Sequence, residues 1–428
     1  MTRQPTTESS RIESLDVLRG FALLGILLLN IIGFGLLFAS YSNPALDLTV
    51  ASTIDWVVWG TVDIGAEGAM RTLFSMLFGA GVLLFTTGER GKTGALHYRR
   101  TFLLLLFGVF DAYILLWSGD ILMTYALVGF LLYLLRNWQV RSLLTTAGIL
   151  LLLISLFYLG MNAALGMLKS AADEVALAND PAVLSEETRD MAAEWDVFIS
   201  DYEMTPESKA EELAARRGSY LTAFWWNAEQ MTEILTMVIP VFLFWDALVM
   251  MLIGMALYKA GVLQGDRSTL FYWRMMVAGF MVGLIVNSYE VFRAVNADMA
   301  VLATFGQMQF TYQIGRMGMA FGYMGLVILL LKAGVMTGLR VRLAAVGRMA
   351  LTNYLMHSLI CLFVFTGAGF GLVGELSRAQ LYIVVVAIWG FQLWFSPWWL
   401  ARYRFGPVEW LWRVLTYGER MPIRRANV

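Results

Sequence analysis

Two apolar stretches carry polar side chains at spacings that could do chemistry. In RIESLDVLRGFALLGILLLN, residues 11–30, Asp16 and Arg19 stand three apart, so a helix sets them on one face with the acid first. Asn30 follows Arg19 by eleven residues, close to three turns, which keeps it on that face roughly 16 Å further along. In GRMALTNYLMHSLICLF, residues 347–363, Arg348 marks the entry, and the spacing of Asn353, Tyr354 and His357 predicts that all three line one side. His357 lies roughly 14 Å beyond Arg348 by helical rise, so it reaches a depth similar to that of Asn30. An imidazole that titrates near neutrality suits general-base work at pH 7. Asn30 and Asn353 could orient it or hydrogen-bond a developing oxyanion. The guanidiniums of Arg19, Arg340 and Arg348 suit bidentate contact with phosphate. A plain structural reading stands beside each role: Arg19 snorkels to the interface, Asn30 bonds a neighbouring helix, and His357 sits neutral between helices.

A second set of ionisable groups is scattered through other apolar runs. Arg71 opens one run, Asp111 lies late in another, and Asp120 heads the next. Glu290 and Arg293 end a later run, and Arg316 sits about two turns inside the one after it. Asp246, in VFLFWDALVMM, has no local partner and must find one on another helix. Each such group costs about 2.5–3.5 kcal/mol at a bilayer centre on insertion scales, so each needs a reason to be there. Both signs are present, so the groups can neutralise one another in a water-filled vestibule. The carboxylates Asp111, Asp246 and Glu290 could also relay protons in a carrier.

The elements that position these residues follow from composition. Of 428 residues, 59% are hydrophobic and 15% charged, and the mean hydropathy is +0.65. That much apolar surface needs a bilayer as solvent, which makes the chain an all-α integral membrane protein. A net charge of −1 argues against a nucleic-acid partner. One cysteine, Cys361, and two separated histidines, His97 and His357, leave neither a disulfide framework nor a zinc site, so no metal is expected. The sequence has no GxSxG elbow, P-loop or HExxH motif.

Apolar runs long enough to cross fall at about 17–39, 70–87, 101–117, 120–136, 142–164, 233–258, 271–292, 309–331, 349–370 and 379–398, which predicts about ten transmembrane helices. The third and fourth are short and joined by the turn WSGD. The first is read as a retained span because it is too long for a signal sequence and carries Asn30. Arg and Lys cluster in alternate loops, so both termini are cytoplasmic by the positive-inside rule. The domain reading is a cytoplasmic tail at 1–16, its first ten residues polar and disordered, then a first bundle at 17–164. An extracytoplasmic segment at 165–232 follows, then a second bundle at 233–400 and a cytoplasmic tail at 401–428. The 165–232 segment reads as two or three amphipathic helices, with SEET at 185–188 as a capping box, or as a solvated acidic linker.

The stretches RIESLDVLRGFALLGILLLNI, RTLFSMLFGAGVLLF, LLWSGDILMTYALVGFLLY, GRMALTNYLMHSLI and FGPVEWLWRVLTYG together resemble the bacterial DUF418 (YeiB-like) membrane proteins over most of the chain. That family more distantly resembles the transmembrane acyltransferase superfamily, which includes the acyltransferase-3 enzymes and heparan glucosaminide N-acetyltransferase. Those enzymes carry an arginine at the start of the first span and a histidine eleven residues on; here Arg19 matches the arginine and Asn30 stands at the histidine position. Their late YLxH pattern is matched by YLMH at 354–357. The resemblance implies transfer of an acyl group from acyl-CoA to a hydroxyl or amine of an extracytoplasmic, glycan or lipid-linked acceptor, in the bacterial inner membrane. In that reading Arg19, Arg340 and Arg348 hold the CoA phosphates and His357 is the base. The alternatives are a small-molecule or lipid transporter, and a non-catalytic membrane scaffold that binds partners through 165–232.

Overall fold

The computed structural model describes residues 12–48, 51–86, 94–307 and 310–425. The first ten residues, read above as a disordered tail, lie outside the described residues, as does the start of the basic stretch 89–100. The described residues are all-α apart from one isolated bridge between Tyr403 and Arg424. The first half contains α1 (Glu13–Gly35), α2 (Ala45–Leu48), α3 (Thr53–Ala66), α4 (Ala69–Thr86), α5 (Gly94–Tyr113), α6 (Leu122–Leu135) and α7 (Val140–Leu177). The middle contains α8 (Glu186–Glu203), α9 (Pro206–Arg217) and α10 (Tyr220–Glu233), then a π-helical segment at Ile234–Leu243 that leads into α11 (Phe244–Lys259). The second half continues with α12 (Thr269–Asn296), α13 (Val301–Gln307), α14 (Phe310–Ala333), α15 (Thr337–Arg348), α16 (Ala350–Phe365), α17 (Arg378–Arg402) and α18 (Pro407–Tyr417).

Seven helical stretches among the described residues are long and apolar enough to cross a bilayer, or up to eight if a bent pair counts as one span. They account for most of the expected crossings, and the remainder differ for physical reasons. α6 has 14 residues, about 21 Å by helical rise, which is short of a hydrocarbon core of roughly 30 Å. α5 packs against it and carries His97, Arg99 and Arg100 at one end and Asp111 at the other. The expected span at 349–370 is the second limb of a pair, α15 and α16, bent by 82° at Met349. The basic stretch RVRLAAVGR is therefore helix rather than loop, and Arg348 closes α15 instead of opening α16.

α1 is the hub of the bundle. It packs against α3, α4, α14, α15, α16 and α17 and is buried along most of its length. α7 and α12 present most of their apolar residues outward, as helices in contact with lipid do. The crossing of α1 and α15 brings backbones almost together: a Cβ on Gly347 would run into the Asp16 carbonyl, and one on Gly20 into that of Leu343. The bend at Met349 leaves the first amides of α16 without partners. Glu409 from α18 accepts from the Leu351 and Thr352 amides at 2.7 and 3.0 Å and from the Thr352 hydroxyl at 2.5 Å.

The 165–232 region is helical. Residues 167–177 contain neither Gly nor Pro, so α7 continues unbroken past residue 165 to Leu177, and the chain turns at Asn179–Pro181. Ser185, Thr205 and Ser219 cap α8, α9 and α10. At SEET only half of the expected capping box forms: Ser185 accepts from the Thr188 amide, and the two hydroxyls pair with each other at 2.8 Å. α9 is fastened to the end of α1 by Arg216, which donates to the carbonyls of Gly33, Phe34 and Leu36.

Candidate functional site

A cavity partly open to solvent lies among helix ends near the finish of α1, with about 680 Å³ of non-atom space counting that open part. The helical period decides what faces it. α1 contributes Ile26, Leu29 and Asn30; α4 contributes Arg71 and, one turn on, Ser75. Asp120, just before α6, and Thr124, one turn on, form a second such pair, and α11 contributes Asp246.

Behind one wall is an ion network. Both terminal nitrogens of Arg316, on α14, bond the two Asp246 oxygens. Gln313 accepts from Arg316 Nε at 3.0 Å. Asp246 thus finds the partner on another helix that its isolation in the sequence demanded. Arg71 shares it from the cavity side, with Nε 3.8 Å from Asp246 Oδ2, beyond hydrogen-bonding distance. Arg71 Nη2 donates to the Tyr312 hydroxyl at 3.1 Å, and Tyr312 donates to Glu67 Oε1 at 3.0 Å. Ser75 and Tyr125 pair at 2.5 Å.

Other polar atoms on the cavity wall are not satisfied. Asp120 Oδ2 accepts the Met123 amide at 2.8 Å, an N-terminal cap for α6, but Oδ1 has no hydrogen-bond partner. Thr124 Oγ1, on the same wall, has none either, and no hydrogen bond holds the Asn30 carboxamide among the described residues. Asp111, buried behind Asp120 and beside Ser358, has no hydrogen bond of good geometry at either carboxyl oxygen. Unpaired polar groups are expensive in a bundle interior, so their convergence on one space marks it as a place for a polar ligand.

His357 is elsewhere. It is 2% exposed and its Nε2 lies 2.9 Å from Gln392 Oε1 on α17. Gln392 Nε2 donates to the Asn353 carbonyl at 2.9 Å, so Oε1 can only accept and His357 Nε2 carries the proton. Nδ1 is left as an unpaired acceptor. Asn353 donates to Val346 O and to Ser396 on α17. The spacing had put Tyr354 on their side, but its hydroxyl accepts the Ile121 amide at 3.1 Å, beside Asp120. Successive residues point about 100° apart on a helix, so Asn353/His357 and Tyr354 address different neighbours. His357 lines neither this cavity, which Asn30 does line, nor a smaller one lined by Phe34, Trp117 and Cys361.

The remaining expected site residues gather at the other end of α1 or stand apart. Arg19 pairs with Asp16 at 3.0 Å, as its spacing required, and Arg340 pairs with Glu13 at 2.7 Å. A phosphate at these guanidiniums would share them with carboxylates. Glu290 is buried on α12 away from the cavity. Glu67, Tyr312, Gln313, Ser75 and Thr124 were not singled out from the sequence; for the two hydroxyls the usable signal was a position four residues past Arg71 or Asp120. Among the described residues no three His, Cys, Asp or Glu side chains are grouped to hold a metal ion.

The chain resembles known proteins along its whole length. The model of a family described as "Protein of unknown function (DUF418)" matches residues 257–419. The Escherichia coli (strain K12) "Uncharacterized protein YeiB" is 33% identical over 408 residues, 94% of this chain and 95% of that protein. The Bacillus subtilis (strain 168) "Uncharacterized protein YxaH" is 31% identical over 435 residues, 99% of this chain and 98% of that one. A 39.9 kDa protein from the amylase 3′ region of Bacillus acidopullulyticus is 27% identical over 428 residues, 98% of this chain and 97% of the relative. No solved structure matches. With its apolar helices and bacterial relatives, the chain is a bacterial multi-pass membrane protein.

Proposed function

We propose, from the premise that this chain belongs to the DUF418 (YeiB-like) family, that it is an acyltransferase of the inner membrane whose acceptor binds in the cavity beside Asn30. The observation that carries this reading is the set of unsatisfied groups on the cavity wall: the Asn30 amide, Arg71 Nε, Asp120 Oδ1 and Thr124 Oγ1. Acyl transfer needs a proton acceptor and a donor to the oxyanion in one dry space. Asp120 Oδ1 would take the proton of the acceptor's hydroxyl or amine while the new carbon–oxygen or carbon–nitrogen bond forms and the thioester carbon–sulfur bond breaks. Asn30 or Arg71 would donate to the carbonyl oxygen as it gains charge. The donor, acyl-CoA, would meet Arg19, Arg340 and Arg348 at the cytoplasmic end of α1, so its arm must span roughly the 16 Å to Asn30.

In this arrangement both termini are cytoplasmic and α7–α10 cover the outer mouth. α5 and α6 form a short hairpin across the membrane that brings the crossings to ten. His357 becomes a positioning residue that holds α16 on α17.

A carrier is the second reading. Two observations favour it: the buried Arg71–Asp246–Arg316 network, and the π-helical segment with Pro240 inside it, whose last residue, Leu243, lines the cavity.

The test is acyl-CoA-dependent release of free CoA by the purified protein in proteoliposomes that contain bacterial lipid extract. Asp120→Asn should lower turnover about 10²–10⁴-fold, and His357→Gln far less. The reverse order would return the base role to His357. No release in any condition, with gradient-driven uptake abolished by Asp246→Asn, would replace the enzyme with a carrier.

A further inference from the structure

The cavity wall is electrically divided, and that division describes what fits it. On the α6 side, Asp120 is 4% exposed and Thr124 2% exposed, and both keep an oxygen without a partner. Asp111 stands directly behind, and among the described residues no Lys or Arg pairs with either carboxyl. On the α4 side the excess is of donors, because Arg71 has an unbonded Nε and Arg316 lies behind it. Asp246 lies between the two guanidiniums, and Glu67, also on this wall, accepts the Tyr312 hydroxyl and keeps its charge.

A lone anion in this space would meet Arg71 but leave the Asp120 carboxyl oxygen unmet, and a lone cation would meet Asp120 but leave the Arg71 Nε unmet. Neither is matched in a medium of low dielectric. A molecule with one charge of each sign meets both walls. The acceptors on the carboxyl side, Asp120 Oδ1, Thr124 Oγ1 and the Asn30 carbonyl, also number as many as the hydrogens on a primary ammonium. A quaternary ammonium has none to give. Ile26, Leu29 and Leu243 line the rest of the space and suit a short aliphatic link or the start of an acyl chain.

We infer that the cavity holds a zwitterion, with a primary ammonium seated between Asp120 and Thr124 and a phosphate or carboxylate against Arg71. This deepens the acceptor assignment and rests on the cavity being a ligand site. The ammonium is then the group that, once deprotonated, takes the acyl chain. The same chemistry is available from an aminoethyl phosphodiester lipid headgroup or from a free amino acid or phosphoamine.

The full chain, in nanodiscs of phosphatidylglycerol, is titrated with O-phosphoethanolamine, O-phosphocholine, ethanolamine and glycine, and binding is read by calorimetry. In a second arm phosphatidylethanolamine is built into the disc and thermal stability is read. O-phosphoethanolamine or glycine should bind about tenfold or more tighter than O-phosphocholine or ethanolamine. Stabilisation by the lipid alone would identify the headgroup as the source. Asp120→Asn and Arg71→Gln should each weaken binding by about tenfold or more. Thr124→Val, which keeps the shape of the site, should weaken it measurably without lowering the amount of folded protein. Equal binding of the primary and quaternary amines overturns the inference, as does binding unchanged in Asp120→Asn, or no response to any free or lipid-linked zwitterion. Selective binding without CoA release would sink the transferase reading and leave this one standing. CoA release with no such selectivity would do the opposite.

Discussion

Replacing Arg216 by Ala asks how the outer helices are fastened to the bundle. Its guanidinium donates to the carbonyls of Gly33, Phe34 and Leu36 at 2.8, 2.7 and 2.8 Å and to Glu212 at 2.7 Å. The last carbonyls of a helix have no partner within it, and the negative end of its dipole favours a cation, so one side chain meets both needs of α1. Glu212, whose side chain is 4% exposed, also accepts the Phe38 amide at 2.7 Å. Burial pulls the Arg216 pKa below its ordinary value and Glu212 opposes that pull, so the two stand or fall together.

Truncating the arginine strands the Glu212 charge, a loss of roughly 3–5 kcal/mol for a broken buried pair. The bared carbonyls add to it by an amount that depends on how far water enters. Glu212→Gln with Arg216→Met removes both charges, so the double variant should lose less than Arg216→Ala alone. Trp226, whose ring lies 5.4 Å from the guanidinium, is one of fifteen tryptophans, so its fluorescence at the site is taken as the difference from a Trp226→Phe background. The assay is thermal unfolding in detergent, followed through that signal, with limited proteolysis of residues 165–232. If Arg216→Ala melts with the parent and gains no cleavage there, water caps α1 as well as the arginine does and the reasoning is wrong.

Three further outcomes follow from the same physics. Burial raises the Glu409 carboxyl above its ordinary value, so the folded chain keeps a proton that the unfolded chain releases. Its contribution is full below a pH of about 4.3 and declines as pH climbs through the raised value; Glu409→Gln should flatten that part of the melting-temperature profile, and Glu409→Ala should cost about 1 kcal/mol of cap. Gly347→Ala forces apart α1 and α15 and should cost roughly 1–3 kcal/mol, whereas Gly338→Ala, on the same helix with open space around it, should not; equal melting of the two would refute the close crossing. Asp246→Asn leaves Arg316, 1% exposed, without its counter-ion, a loss of roughly 3–5 kcal/mol visible as lower yield and melting temperature. A second change, Arg316→Gln, should recover part of it.

The membrane class and most of the spans were legible because apolar length is a one-dimensional property. So was the demand of Asp246 for a cation on another helix, which Arg316 meets. The rotation of α16 was not legible. Asn353/His357 and Tyr354/Ser358 are both polar pairs four residues apart, and spacing alone does not say which pair turns toward α17. The cavity was hidden for a related reason: its wall is assembled from helix ends and turns, such as Glu67–Gly68 and Gly119–Ile121, that carry no periodic signal. The short α6 shows the limit of counting apolar residues, since the expected run at 120–136 took in turn residues before the helix as well as its C-cap.

The position of Asn30 bears on where a base can be. Under the proposed acyl transfer, Asn30 is not the base: an asparagine can donate to an oxyanion but does not take up a proton at neutral pH. Transfer chemistry in the cavity therefore needs another acceptor in the same space, and Asp120 supplies one with an oxygen left unbonded. The late YLMH motif reaches that part of the wall through its tyrosine: the Tyr354 hydroxyl accepts the amide of Ile121, the residue after Asp120. His357, three residues on, meets a different neighbour and pairs with Gln392 on α17. Two motifs that spacing alone would join through Asn30 and His357 thus meet through Asn30, Asp120 and Tyr354.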